Sequence, residues 1–224
     1  MQIREMTVNM VAWAKAAAVM AHESVGQCRK YGNAHYGRER YYFHPCRVAE
    51  LVATVTDSPR VISAAALHDV LEDVSPKSPV FTPRWILASF GPEVLLLIIE
   101  CSNFYTVNEK QREILFDALE LILPEFPGKV SGLLLEADAA FKVADGAEKQ
   151  FRKLAEIERY GAISDDAKII KRADIFDNRL ALDGAESEWA ANWRAAADYA
   201  DGIIGSWLDY ETEVRAEMPE LART

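Results

Sequence analysis

Residues 64–74 read Ala-Ala-Ala-Leu-His-Asp-Val-Leu-Glu-Asp-Val, and this stretch guides the interpretation of the whole chain. An apolar helical run places His68 and Asp69 one turn before Glu72 and Asp73. Three carboxylates crowded at the end of a buried helix raise one another's pKa and cost desolvation energy. A bound cation would relieve this electrostatic conflict. The stretch therefore predicts a metal site.

The pattern on both sides of this stretch is helical along most of the chain. Apolar residues recur after His44 with the spacing of one buried helix face. No sustained alternation typical of a strand occurs, so the predicted fold class is all-α. The range 129–145 fits either a helix or a mixed insertion. Helices are predicted at 6–22, from His44, from Pro59 into the acidic stretch, from Pro83 to Gly91, from Pro92 to Ile99, and at 109–123, 146–160, 165–182 and 187–217.

The length of 224 residues suits a single domain. We predict a core at about 6–102 and 146–182, a divergent insertion at about 103–145, and an additional C-terminal helix at about 187–217. The aromatic residues of that last helix roughly share one face. This pattern favours core packing or self-association over a base-stacking platform, and the oligomeric state is left open.

Composition excludes several classes of function. The net charge of −10 and the pI near 5.0 disfavour a broad nucleic-acid surface. No apolar run of about 20 residues predicts a membrane span. The 3 cysteines lie far apart and form no Cys-x-x-Cys pair, which indicates a reducing compartment. We therefore expect a cytoplasmic protein that binds neither nucleic acid nor membrane.

Residues 25–42 form a long polar loop with several glycines and aromatic residues, and loops of this length are often functional. Cations are concentrated from this loop into the following helix, with Glu39 as the one acid among them. Such a cluster predicts a local site for an anionic substrate in an acidic protein. A solvated charged face is the alternative. The cations are Arg29, Lys30, Arg38, Arg40 and Arg47.

Four segments, in this order, resemble the HD superfamily of metal-dependent phosphohydrolases. They are Gly26-Gln27-Cys28-Arg29-Lys30, Phe43-His44-Pro45, the stretch 64–74 and Ala173-Asp174-x-x-x-Asn178. The resemblance is closest to the hydrolase domain of alarmone synthetase-hydrolases and to stand-alone small alarmone hydrolases. It covers about 20–100 and 165–182, while 103–163 matches little. Each of these residues taken alone could have a purely structural role, but their occurrence together in this order favours a catalytic metal site.

The resemblance implies one divalent metal ion per chain, held by His44, His68, Asp69 and Asp174. Two imidazoles and two carboxylates suit Mn²⁺, Fe²⁺, Zn²⁺ or Co²⁺ better than Mg²⁺. Enzymes of the resembled family typically use Mn²⁺, which is the ion expected here. The resemblance also implies that Glu72 and Asp73 orient or deprotonate the attacking water, and it leaves open which of them is the base.

The resemblance further implies a phosphorylated nucleotide as substrate. Arg29 and Lys30 would pack on its base, Asn178 would contact the nucleotide, and Arg47 is expected to bind substrate with the other cations. The implied reaction removes the 3′-pyrophosphate of guanosine tetra- or pentaphosphate (ppGpp or pppGpp). One alternative keeps the metal and changes the substrate to another nucleotide, such as a nucleoside mono- or triphosphate. A second alternative is a metal-binding sensor or interaction module without turnover.

Overall fold

The computed structural model describes residues 2–29 and 39–217. Within these ranges it is helical, without a strand, and an isolated antiparallel bridge joins Cys28 to Arg40. The all-α prediction is confirmed. No described helix is both long enough and apolar enough to cross a membrane. The helices are α1 Gln2–Ser24, α2 Phe43–Val52, α3 Pro59–Leu67, the π-helical turn Val70–Val74, α4 Pro83–Phe90, α5 Pro92–Cys101, α6 Glu109–Ile122, α7 Pro127–Gly146, α8 Lys149–Arg159, α9 Asp165–Ala181, α10 Glu188–Ile204 and α11 Trp207–Glu217.

Local sequence signals explain where these helices begin. Prolines occupy the first turn of α3, α4, α5 and α7, where a missing N–H group costs nothing. At the start of α9, the hydroxyl of Ser164 accepts a hydrogen bond from the backbone N–H of Ala167. This cap fixes the beginning of the helix that carries Asp174 and Asn178.

Helix α3 lies at the centre of the main core. Every residue from Val61 to Leu67 is buried, and the helix packs against α1, α2 and α5. Helix α9 packs against α2 and α5 and adds Ile170 and Ala173 to the same core. Burial of one large aliphatic side chain contributes about 1.5–3 kcal/mol. Apolar packing therefore fixes α2, α3 and α9, and with them the polar side chains that they carry.

The segment 103–145 packs into this same core. It contains α6 and α7, and α6 lies against α4 and α5. Leu119, Ile122 and Val130 are completely buried. The ambiguous range 129–145 is helical, because it belongs to α7. The division of the chain into a core and an insertion stays a prediction.

The single C-terminal helix predicted at about 187–217 is divided in the structure. Gly205 ends α10 with φ +82° and ψ 151°, a conformation that is essentially restricted to glycine. The break lets Trp207 of α11 pack into the main core. Helix α10 instead packs in a smaller apolar cluster with α8 and α9. One isolated glycine in a helical pattern is tolerated often enough that the sequence alone does not reveal this break.

Gly205→Ala should lower the free energy of unfolding by about 1–3 kcal/mol, because a side chain strains this backbone conformation. Gly202→Ala is the matched control, since Gly202 lies inside α10 with open space where a methyl group would lie. Alanine at that position should raise the free energy of unfolding by about 0.5–1 kcal/mol. Urea denaturation of both variants measures the difference, and equal effects would contradict the role given to Gly205.

Candidate active site

Two histidines and two aspartates meet where α2, the end of α3 and α9 pack together. The Nε2 atom of His44 lies 3.2 Å from Oδ1 of Asp174 and 3.6 Å from Oδ2 of Asp69. The Nε2 atom of His68 lies 3.2 Å from Oδ1 of Asp69 and 3.7 Å from Oδ1 of Asp174. The structure thus brings the four predicted metal ligands into one cluster, called here the donor cluster.

Hydrogen bonds at the outer ring nitrogens fix the orientation of both histidines. The Nδ1 atom of His68 donates to the backbone carbonyl of Ala65 at 2.8 Å. The Nδ1 atom of His44 donates to Oδ2 of Asp177 at 2.8 Å. When the imidazoles are neutral, these bonds leave the lone pair of each ring on Nε2, the atom that lies in the donor cluster. Both Nε2 atoms are buried and have no hydrogen-bond partner among the described residues.

These two nitrogens and the adjacent carboxylates fit a metal ion. Donor atoms that lie about 2.1 Å from one ion at right angles are about 3 Å apart. Ligand atoms of His44, His68 and Asp174 all lie within 4.8 Å of one another. Asp69 has its oxygens at 3.2 and 3.6 Å from the two Nε2 atoms. A mixed nitrogen and oxygen donor set of this kind suits a divalent transition-metal ion.

The cluster balances its own charges with the help of Lys171. Burial lowers the pKa of His68, but the charges of Asp69 and Asp174 raise it well above its ordinary value. Burial raises the pKa of Asp174, but Lys171 and the two imidazoles hold it well below its ordinary value. The buried Nζ atom of Lys171 lies 2.9 Å from Oδ2 of Asp174. Protons and a cation therefore compete for the same donor atoms.

Glu72 and Asp73 lie on a π-helical turn. The sequence predicts an α-helix that continues through both residues, with each at i+4 from the His-Asp pair. Instead, α3 ends at Leu67 and Val70–Val74 forms the π-helical turn. Such turns occur frequently at functional sites. The turn carries both acids next to the donor cluster without making them part of it.

Both acids are held by hydrogen bonds from other parts of the chain. An oxygen of Glu72 accepts the backbone N–H of Asn103 at 2.8 Å. Oδ2 of Asp73 accepts from the amide of Gln27 at 2.7 Å. The carbonyl oxygen of the Gln27 side chain accepts in turn from Nδ1 of His22 at 2.8 Å. A relay of two side chains, from the end of α1 and the loop after it, therefore positions Asp73.

The pKa values of Glu72 and Asp73 are both raised. Burial is the larger cause and the negative charge of Asp69 is the next, and together they raise the pKa of Glu72 to about 8. A cation in the donor cluster would offset the charge of Asp69 and lower both values. A carboxyl group whose pKa lies near the working pH is suited to proton transfer.

Two cavities open beside the donor cluster, and both are lined by Tyr41 and Asn178. Tyr41 donates to Oδ2 of Asp69 at 2.7 Å, and the amide of Asn178 donates to Oδ1 of Asp174 at 2.7 Å. The first, named the basic cavity after its cations Lys149, Arg152, Lys153 and Lys171, has a volume of about 390 Å³, and its wall also includes the acids Asp69, Glu72, Glu156 and Asp174. The second, named the aromatic cavity, has a volume of about 340 Å³, and its wall includes Gln27, Arg29, Asp73, Trp189 and Trp193.

Arg29 and Asn178, two of the predicted substrate-binding residues, line the aromatic cavity together. The guanidinium of Arg29 donates to Oδ1 of Asn178 at 3.0 Å and to Oδ2 of Asp177 at 3.1 Å. Because Asn178 also donates to Asp174, a short chain of hydrogen bonds connects Arg29 with the donor cluster. Lys30, predicted beside Arg29, lies outside the described residues.

Arg47, the fourth predicted substrate-binding residue, is engaged by two carboxylates. Its guanidinium donates to Glu39 at 2.7 Å and to Asp177 at 2.6 Å, and it forms part of neither described cavity wall. Arg40 pairs with Glu23 at 3.4 Å. The described cations of the loop are thus largely neutralised within the protein. The basic cavity draws its positive charge instead from α8 and from Lys171.

Sequence reasoning missed Asp177 and the cations of α8. Asp177 follows Asp174 by three residues, so both lie on one face of α9, which was the available signal. Burial raises the pKa of Asp177, but its bonds to His44 and Arg47 lower it to about 2. The α8 cations recur at i, i+3 and i+4, which places them on one helix face, but they lie in the segment that matches the resembled family least. They are Lys149, Arg152 and Lys153.

Comparisons with known proteins support the fold. No protein-family model matches the sequence, and no curated protein is significantly similar to it. Among solved structures, the chain is similar to a metazoan ortholog of SpoT, a protein that hydrolyzes ppGpp and plays a role in starvation responses. The two are 22% identical with a TM-score of 0.58, over 93% of this chain and 94% of that chain. At this identity the likeness establishes a shared fold over nearly the whole length.

His68→Ala should abolish retention of a divalent cation, because it removes one of two buried Nε2 donors. Metal content after purification and the rise in melting temperature on adding Mn²⁺ measure the effect. Ser63→Ala is the control, since it removes a buried polar atom of α3 outside the donor cluster and should retain the metal. Equal metal retention by wild type and His68→Ala would refute the assignment.

Proposed function

We propose that the chain is a metal-dependent phosphohydrolase that removes the 3′-pyrophosphate of ppGpp or pppGpp. One observation carries this proposal. The donor cluster has two buried imidazole nitrogens without a hydrogen bond to any described residue, and Tyr41 and Asn178, which donate to its aspartates, line both the basic and the aromatic cavity. A substrate with phosphates at one end and a planar base at the other matches that junction. The shared fold with a metazoan SpoT ortholog that hydrolyzes ppGpp supports the same reaction.

In this proposal His44, His68, Asp69 and Asp174 hold one divalent cation. Manganese is the expected ion, and Fe²⁺, Zn²⁺, Co²⁺ or Mg²⁺ are the alternatives. A cation bound there would supply Lewis acidity and lower the pKa of water. Tyr41 and Asn178 each donate to one of the carboxylate ligands, and such contacts hold ligands in a fixed orientation.

Glu72 and Asp73 carry the proton transfers in the proposed reaction. The oxygen of water bonds to the phosphorus attached to O3′, the bond between phosphorus and O3′ breaks, and O3′ takes a proton. One acid accepts the proton of the attacking water, and the pair can return a proton to the leaving oxygen. Asn103 and Gln27 hold these side chains at the rim of the donor cluster. The choice of base between the two acids is left open.

The basic cavity is the proposed site for the phosphate groups. Lys149, Arg152 and Lys153 lie on one face of α8, and the buried Lys171 also lines the cavity. The Nε atom of Arg152 is buried and has no hydrogen-bond partner among the described residues. The guanidinium of Arg152 lines the cavity, and guanidinium groups bind phosphate through charge-assisted hydrogen bonds.

A direct assay tests the proposed function against its alternatives. With Mn²⁺ and ppGpp, the protein should release pyrophosphate and guanosine diphosphate. Release of inorganic phosphate or nucleoside from another nucleotide would indicate an HD-type phosphohydrolase with a different substrate. A protein that binds one metal ion per chain but hydrolyses no nucleotide would instead be a metal-binding sensor or interaction module. We further propose that the enzyme acts in the cytoplasm, which its 3 free cysteines favour.

Glu72→Gln should lower kcat for ppGpp by about 10²- to 10⁴-fold while metal content stays stoichiometric, because the amide cannot transfer the proton. Steady-state kinetics and metal analysis of the same preparation measure both quantities. Asp73→Asn is measured in parallel. The residue whose substitution causes the larger loss of kcat is assigned as the base. Full activity in both variants would remove the pair from the mechanism.

Arg152→Ala should lower kcat/KM for ppGpp by about 10- to 150-fold, the equivalent of one or two hydrogen bonds to a charged group. Lys142→Ala is the matched control, because Lys142 is an exposed cation on α7 that pairs with Asp138. The control should leave kcat/KM unchanged. Competitive inhibition by inorganic pyrophosphate gives a second measurement, and it should weaken only in Arg152→Ala.

A further inference from the structure

We propose that Trp193, together with Trp189, forms a stacking wall for the nucleobase in the aromatic cavity. The chemical class of the ligand, a purine nucleotide, rests on the proposed function. The wall itself rests on the placement of α10 beside the donor cluster. This assignment reverses the expectation from the sequence, in which the aromatic residues of the last helix are core or self-association residues.

The two tryptophans share one face of α10, because they lie four residues apart. Trp193 is partly buried and packs against the apolar cluster that includes Ile157 and Ile175. One part of its ring is thereby anchored, while another part lines the aromatic cavity. Trp189 also lines this cavity and is 38% exposed. An anchored indole beside an open cavity is a preorganised surface for a planar ligand.

The aromatic cavity lies directly beside the donor cluster. Its wall includes Tyr41 and Asn178, which donate to Asp69 and Asp174, both at 2.7 Å. A ligand that fills this cavity is therefore one side chain away from the proposed metal ligands. This arrangement would place the nucleoside part of a substrate beside the donor cluster, where its phosphate would react.

The chemistry of the wall favours a planar ligand. Indole rings stack on bases with a contribution of about 1–3 kcal/mol each, largely independent of base identity. Arg29 lines the same cavity and offers a planar cation of the kind that stacks on bases. The volume of about 340 Å³ is within the range of cavities that bind small molecules.

Contact with Lys153 connects the wall to the basic cavity. Its Nζ atom lies 5.5 Å from the centre of the Trp193 ring, within the range of a cation–π interaction. Lys153 also lines the basic cavity. A nucleotide that stacks on Trp193 therefore has its phosphates within reach of the α8 cations. The wall and the cations form one continuous surface for a single substrate.

Binding of guanosine diphosphate, the proposed product, tests the wall separately from turnover. Calorimetry on the metal-loaded full chain should show that Trp193→Leu weakens binding by about 5- to 150-fold, the loss of one stacking contact. Trp193→Phe should retain most of the affinity. Binding of inorganic pyrophosphate should be equal in all three proteins. KM for ppGpp should rise in Trp193→Leu with kcat nearly unchanged.

Two further variants keep this test decisive. Trp189→Leu changes the more exposed ring and should also weaken guanosine diphosphate binding if Trp193→Leu does not fold. Trp85→Phe is the matched control. The partly buried Trp85 packs with Trp13 and Phe90 and lines neither cavity, so this variant should bind as wild type.

The outcomes separate the two proposals. Wild-type affinity for guanosine diphosphate in both leucine variants would overturn the wall, even if ppGpp hydrolysis is observed. Loss of guanosine diphosphate binding in these variants, in a protein that does not hydrolyse ppGpp, would leave the wall standing and overturn the proposed function.

Discussion

The arrangement of the site depends on one buried carboxylate, that of Asp177. It accepts hydrogen bonds from His44 of α2, from Arg29 of the loop and from Arg47. Removing one partner from a buried ionic network costs about 3–5 kcal/mol, because the remaining charges are left uncompensated. The orientation of His44 and the attachment of the loop to α9 therefore rely on the same side chain. Asp177 thus contributes to the packing of the helices and to the geometry of the donor cluster at the same time.

The site combines a rigid apolar frame with polar groups from connecting segments. Helices α2, α3 and α9 are fixed by burial. Helices α2 and α9 carry His44 and Asp174, and α3 leads directly into His68 and Asp69. The neighbouring groups come from less regular segments, namely Gln27 and Tyr41 from the loop and Asn103 from the connection after α5. Because of this division, substitutions in the cavity walls can alter the cavities without altering the geometry of the donor cluster. The cations of α8 and the tryptophans of α10 are such wall residues.

Much of the fold could be predicted from the sequence because its helices are locally encoded. Prolines, capping residues and apolar periodicity indicate most helix starts, and the ordered His, His-Asp and Asp segments indicate the donor cluster. Contacts between distant residues could not be predicted in this way. Glu39 neutralises Arg47, and Asp177 engages Arg29, so the loop that looked cationic is largely paired. The π-helical turn also has no local signal, since its residues fit an α-helix equally well.

The distance along the chain between the members of the site has a consequence for folding. His44 and Asp177, which touch in the folded protein, are 133 positions apart. Closing a loop of that length costs about 4 kcal/mol of chain entropy from its length alone. During synthesis, the ribosome releases both histidines long before α9 emerges. The nascent chain therefore has an incomplete donor cluster until α9 has been synthesised, so its four side chains can meet only late in folding.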